Sequence, residues 1–418
     1  MHLRWRIRGL SDAKHGNWQT VSFGDRFHLE LSGPLGPAGL TARGRDVLTV
    51  GFSVFSIERS LSGYSGTNRP SDFEVELELE DPRRWTSAAT NALVEILAFQ
   101  GDARWHWAFA KATRPGSVDS VATTPDERTL DCVALFSAGL DSTAGLATLQ
   151  ASAARVQLVS HYSKQKTAQL AIANALGYRP PTQARIVRSA LSTRGRSYLY
   201  RSFYFLCLGA VVANSYHVAK ITQFENGILA AAIPPAPPYF MTRHAHPTVH
   251  HHAEILFGEI FGNDWKIDNP FLPSTKRECV SEMRRILGRK LSDELISQTE
   301  TCWYVNSYQL RANKRKENGV PCGVCIPCIV RRTALRVAEG HYDLAKRSVR
   351  ADTALTREFR AYSEFVAWIW KNRKTPNRLW LEIPAYVRQI SAGSPPALTR
   401  GQLTSLLVRF AKDFRDTF

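Results

Sequence analysis

The sequence predicts an α/β protein built round a parallel sheet, preceded by a β-rich α+β domain and followed by helices. Three observations carry this. After residue 129 short apolar strands alternate with helical patterns, as β-α-β units do. Residues 1–115 are dominated by strand-like alternation, and from about residue 330 the pattern turns helical and basic. At 418 residues the chain is too long for one ordinary core. We therefore divide it into a recognition or docking domain at 1–115, a linker at 116–129, a catalytic-type domain at 130–340 and a helical extension at 341–418.

In the first domain "DFEVELELE" (72–80) alternates strictly, with Phe73, Val75, Leu77 and Leu79 on one face and acids on the other. That is a half-buried strand. "GNWQTVSFG" and "VLTVGFSVFSIERS" also read as strands, and "ARWHWAFAKAT" as another. "TSAATNALVEILAFQG" (86–101) reads as a helix with a Thr or Ser N-cap and Gly101 at its end. "RPGSVDSVATTPDERT" (114–129) has linker composition.

Beyond it come "DCVALF", "VQLVSHY" and "QARIVRSAL" as strands. "STAGLATLQASAA" and "KTAQLAIANALG" are the helices between them. "SYLYRSFYFLCLGAVVANSYH" is a long buried helix and "KITQFENG" a further strand and loop. "TREFRAYSEFVAWIWKN" and "TRGQLTSLLVRFAKDF" are amphipathic basic helices.

The formal net charge of +17 favours anionic partners such as nucleotides, nucleic acid or an acidic protein. A basic but ordinary surface accounts for the charge equally well. "MHLRWRIRGL" has no apolar signal region, and the apolar run "FYFLCLGAVVA" (203–213) is too short to span a bilayer. A cytoplasmic protein with no membrane partner is expected.

The stretch "FSAGLDST" joins the first strand of the alternating region to a helix. Small residues let backbone N–H groups approach phosphate oxygens, and the helix points its positive end at the anion. Ser137 and Ser142 add hydroxyls, and Asp141 suits a magnesium ion or a bond that shapes the loop. There is no GxxxxGK[ST] and no GxGxxG. An ordinary tight turn is the competing reading.

Cys322, Cys325 and Cys328 form a C-x2-C-x2-C run with Cys302 upstream. Four thiolates close a tetrahedral zinc site. An iron–sulfur cluster and free structural cysteines are the alternatives. "YFMTRHAHPTVHHH" (239–252) carries five histidines and reads either as a metal cluster or as a polar lid.

The loop resembles the SGGxDS loop of the N-type ATP pyrophosphatases, with Ala138 in the place of a usual glycine. Together with "TCWYV" and "PCGVCIPCIVR" it resembles the 7-cyano-7-deazaguanine synthases, the QueC family, over residues 130–340. "NPFLPSTKRECV" is similar to the family's Pro-Leu segment and "RGRSYLYRSFYFLCLGAVVA" to its Gly-Arg-led helix. The longer layout resembles QueC-like proteins of bacterial antiphage loci, the QatC type.

The resemblance implies a HUP-like fold with a zinc-binding cysteine site. It implies an ATP-dependent ligase that adenylates a deazapurine carboxylate and works beside partner proteins of its operon. It places ATP at Phe136, Ser137, Ala138, Gly139, Leu140, Asp141, Ser142 and Thr143, and zinc at Cys302, Cys322, Cys325 and Cys328. Asp141 with Mg²⁺, Lys276 and Arg196 become the expected phosphate or carboxylate contacts. "HYSKQK" departs from the family's Tyr-Gly-Gln-Arg-His, which leaves the acceptor open between ammonia and a protein amine. A nucleotide-binding scaffold and an RNA sulfurtransferase remain as rivals; the latter would draw on Cys207 or Cys279.

Overall fold

Eleven strands form two sheets among the described residues of a computed structural model. It describes residues 2–7, 17–22, 27–60, 72–114, 118–120, 125–161, 165–189, 199–233, 242–299, 325–336, 354–392 and 397–418. The chain divides into two units. The first takes Met1–Ser137, Ser152–Gln223 and Thr242–Asn269; the second takes Ala138–Ala151, Phe224–Met241 and Pro270–Phe418.

Both sheets belong to the first unit. The smaller has the order β2-β1-β4-β5, from β1 (His2–Ile7), β2 (Gln19–Ser22), β4 (Asp72–Leu79) and β5 (Arg104–Lys111). Its pattern is the one the alternation demands. Leu3, Trp5, Ile7, Phe73, Val75 and Leu77 are buried on one face, while Arg4–Glu76 and Arg6–Glu74 pair across strands on the other. Trp105, Trp107 and Phe109 stack in sequence along β5.

The larger sheet runs β11-β10-β7-β8-β9-β3-β6. Its members are β3 (Phe27–Ser32), β6 (Val118–Ser120), β7 (Cys132–Leu135), β8 (Val156–His161), β9 (Thr182–Ser189), β10 (Lys220–Thr222) and β11 (Lys266–Asp268). From β11 to β9 every pairing is parallel; β3 enters antiparallel to β9. The fold is thus mixed α/β with a largely parallel sheet and flanking helices, as expected. Strands from the N-terminal 115 residues serve both sheets. Within the stretch read as linker, Val118 is buried and pairs opposite Leu29.

"VLTVGFSVFSIERS" is not a strand. It lies in α1 (Ala42–Ser60), a 19-residue helix packed on α5 (Arg201–Ser215). Its β-branched and aromatic residues favour strands locally, but nearly every side chain from Asp46 to Glu58 is buried. Burial all round satisfies an apolar helix and overrides propensity. At α1, Gly51 lies against Cys207 and Tyr204, where a Cβ would come within 3.0 Å of the thiol sulfur. α2 (Ser87–Gly101) starts as expected, with Thr86 accepting from the N–H of Ala89. α4 (Lys166–Ala175) follows β8.

The histidine-rich stretch is helical over residues 247–252. α7 (Pro247–Phe261) begins in it, and His246 is its N-cap, accepting from the N–H of Thr248. His250 bonds Gln223, and burial lowers its pKa to about 4, which keeps the ring neutral. Among the described residues no group of three or more potential metal ligands occurs.

The second unit is helical. It holds α3 (Leu140–Ala151), α6 (Gly227–Ala230), α8 (Lys276–Leu287), α9 (Arg289–Gln298) and α10 (Ile326–Leu335). It ends with α11 (Ala354–Lys371), α12 (Pro376–Glu382), α13 (Ala385–Arg388) and α14 (Arg400–Arg415). Leu403, Leu406, Leu407 and Phe410 form the buried stripe of α14. Among the described residues no helix is long and apolar enough to cross a membrane.

Candidate functional site

The loop begins at a firmly held strand end. All four residues of β7 are buried. The Phe136 N–H donates to the Val159 carbonyl at 2.7 Å, and the Phe136 carbonyl accepts from the Ser160 hydroxyl at 2.6 Å. Ser137 is exposed. Ala138 is fully buried and left-handed, with φ 58°. That is why a glycine suits this position: an alanine there pays about 1–2 kcal/mol in steric strain. The loop then turns into α3. Thr143 N–H donates to the Gly139 carbonyl at 2.9 Å, and the Ser142 hydroxyl donates to the same oxygen at 3.1 Å.

The second unit builds a buried polar cluster at the start of α3. Asp141 Oδ2 lies 2.8 Å from Lys276 Nζ, and both side chains are 6% exposed. Asn226 donates to the same carboxylate oxygen from its amide at 2.9 Å, and to Glu225 at 3.1 Å. Burial pushes the Asp141 pKa up, but the Lys276 charge and the bonds from Lys276 and Asn226 hold it below the ordinary carboxylate range. Burial draws Lys276 down, and the Asp141 and Glu225 carboxylates outweigh it, leaving the ammonium raised. At neutral pH the pair is carboxylate and ammonium.

Each member is placed by its own local chemistry. A capping box between Thr275 and Glu278 starts α8 and sets Lys276 as its first residue. A cation at a helix N-terminus opposes the helix dipole, so this lysine depends on the carboxylates facing it. Asp141 suits the N-terminal turn of α3 on the same grounds. Asn226 caps α6 by accepting from Leu229 N–H. Two glycines permit the approach. A Cβ on Gly145 would fall 2.1 Å from the Phe224 ring, and one on Gly227 would fall 2.1 Å from the Leu272 carbonyl.

The expected residues divide clearly. Asp141 and Lys276 meet; Ala138, Gly139, Leu140, Ser142 and Thr143 lie in the loop and first turn beside Asp141. Phe136 and Ser137 precede them at the strand end. Arg196, Cys302 and Cys322 lie outside the described residues. Cys325 caps α10 and Cys328 stands in its first turn, both buried. Sequence reading missed Glu225 and Asn226. The available signal was "ENG", an N-capping Asn four residues after the end of a short strand.

Asp141 Oδ1 is buried with no hydrogen-bond partner, and the Asn226 amide bridges Asp141 Oδ2 to the Glu225 carboxylate. An orphaned carboxylate oxygen with a second carboxyl close by fits the hard-oxygen donor set of Mg²⁺. The buried Cys325 and Cys328, three apart at a helix start, fit half of a tetrahedral thiolate site. Cys279, one turn beyond Lys276, is a buried thiol whose pKa burial and the Asp141 charge raise well above the ordinary value. Cys207 is raised by burial as well.

Searches of the chain against protein-family models and against curated proteins return no match.

Proposed function

We propose that the chain is an ATP-dependent adenylating ligase of the QueC type, with a HUP-like N-type ATP pyrophosphatase domain and a structural zinc site. Its substrate is a 7-deazaguanine carboxylate. The activated acyl group goes to amide and nitrile formation or to an amine of a partner protein, in a bacterial antiphage setting. One observation supports this above all: Asp141 and Lys276, expected from two separate motifs, form a buried ion pair at 2.8 Å.

In this reading the loop N–H groups and the α3 N-terminus receive the phosphates. The substrate carboxylate oxygen attacks the α-phosphorus of ATP, the α–β bridging bond breaks, and pyrophosphate leaves. Ammonia or a partner's amine then attacks the acyl carbon, losing a proton as AMP leaves, to give the amide; the nitrile requires a second ATP, which adenylates the amide oxygen so that it departs with AMP. An ammonium has three N–H donors. Lys276 spends one on Asp141 and offers the others to phosphate or carboxylate oxygens, where charge develops in a buried setting. Asn226 and Glu225 keep Asp141 and Lys276 in place. Asp141 and Glu225 would hold Mg²⁺, which neutralises phosphate charge when bound. Cys302, Cys322, Cys325 and Cys328 would hold zinc and tie α10 to the segments that carry the other two cysteines. The sulfurtransferase reading is weaker, because its nucleophile must be a thiolate and both Cys207 and Cys279 have raised pKa values.

The test is incubation with Mg-ATP and 7-carboxy-7-deazaguanine, with and without operon partners, followed by quantification of AMP and pyrophosphate. Substrate-dependent formation of both is expected. No AMP under either condition overturns the ligase reading, and a protein lacking about one zinc per chain overturns the cysteine site. A mass increase on a co-expressed partner identifies a protein acceptor.

A further inference from the structure

The ends of α14 carry two tryptophan–arginine stations in the second unit. Arg373 and Arg415 both lie over the Trp370 indole, with their guanidinium carbons 4.5 and 4.3 Å from the ring centroid. Arg400 lies 5.3 Å over Trp380. Arg373 is also pinned by a hydrogen bond to the Trp370 carbonyl at 2.6 Å. All three arginines are exposed, and both indoles are partly exposed. Beside Trp380, Leu381 is 68% exposed.

Most arginines of this unit that stand near a carboxylate pair with it, as Arg277 does with Asp413 and Arg378 with Glu382. Arg373, Arg400 and Arg415 form no ion pair with any described residue, and neither do Lys412 and Lys374 beside them. Two guanidiniums held on one indole repel each other, and an anion bound at their exposed edges offsets that cost. The 16-residue α14 is about 24 Å long, and its two terminal arginines lie within about 60° of one another round its axis. The stations therefore share one flank.

We infer that this flank binds a single strand of nucleic acid. The guanidinium edges take phosphate oxygens, and the outer guanidinium planes, each backed by an indole, take unpaired bases. The length spans several nucleotides, and the +17 formal charge of the chain favours the encounter. An acidic peptide would match the charge and leave the guanidinium planes unused. An anionic bilayer would ask for aromatic side chains free of cations rather than capped by them. This inference does not depend on the ligase reading.

Fluorescence anisotropy of the full chain with labelled 12-mer single-stranded RNA and DNA tests it, against a 12-base-pair duplex, polyglutamate and phosphatidylserine vesicles. Single strands are expected to bind most tightly. The R373A/R415A double variant should weaken them at least tenfold and flatten the slope of log K against log salt by about 1.4, at about 0.7 per lost contact. R373K/R415K, which keeps both charges, should retain the slope and lose affinity severalfold. Equal binding of polyglutamate, vesicles or duplex overturns the inference. So does an unchanged affinity in R373A/R415A.

Discussion

Lys276 is the first residue of a helix, buried and facing Asp141 and Glu225. Removing one member of such a pair leaves a buried charge unmatched, at about 3–5 kcal/mol. K276M is expected to lose that much in urea unfolding, and D141N/K276M to recover most of it. The pair holds over a wide pH range. The depressed Asp141 stabilises above its unfolded pKa of about 3.9 and fails as pH falls through the folded value. The raised Lys276 stabilises below about 10.4 and fails as pH rises through its own folded value. Ala138 gives a second test. Its left-handed strain of about 1–2 kcal/mol is relieved in A138G, but glycine's extra unfolded freedom and the lost buried methyl offset most of this. A138G should therefore unfold within about 1 kcal/mol of the wild type. A138V puts a β-branched residue at φ 58° and should lose at least about 2 kcal/mol. The loop was legible from small residues and a serine pair, whereas Asn226 was not, because a capping asparagine looks the same whether or not its amide meets a buried acid.

At the scale of elements, α3 depends on the close approach of Gly145 to Phe224, the residue before Glu225 and Asn226. G145A forces that ring aside and should cost about 1–3 kcal/mol by overpacking. Under the proposed function it should also weaken ATP binding at least tenfold by calorimetry, since the displaced segment carries Asn226. In the first unit the segment before β7 is tied by Asp126, which accepts from Arg128 and from the Tyr216 hydroxyl at 2.8 Å. The Arg128 bond outweighs burial and holds the Asp126 pKa at about 2. Its stabilisation is present above the unfolded value of about 3.9 and is lost as pH falls through about 2. D126N should thus be less stable than wild type at pH 7 by about 2 kcal/mol, and the gap should close near pH 2 in denaturant titrations. The strands β4, β7 and β8 were readable from alternation and apolar runs. α1 was not, since its Val, Ile and Phe content is shared by buried strands and only its packing on α5 selects the helix. β1 carried a readable period-2 pattern in "HLRWRI", masked by its charge.

At the scale of the whole molecule, the parallel pairing of β7, β8 and β9, though not the strand order of the sheet, could be read from the alternation. The discontinuity of the two units could not, because strand partners distant in sequence leave no local trace. β3, for example, pairs with β9 and β6, and nothing in "FHLELS" names either. In the proposed function the Asp141–Lys276 pair serves nucleotide chemistry and is not only an internal tie. The most direct test is substrate-dependent pyrophosphate release from Mg-ATP and 7-carboxy-7-deazaguanine by the wild type and by D141N/K276M, each shown folded by circular dichroism. Release by the wild type is expected, with at least a hundredfold loss in the folded double variant. Equal release by the two, or none by the wild type with its partners present, would contradict it.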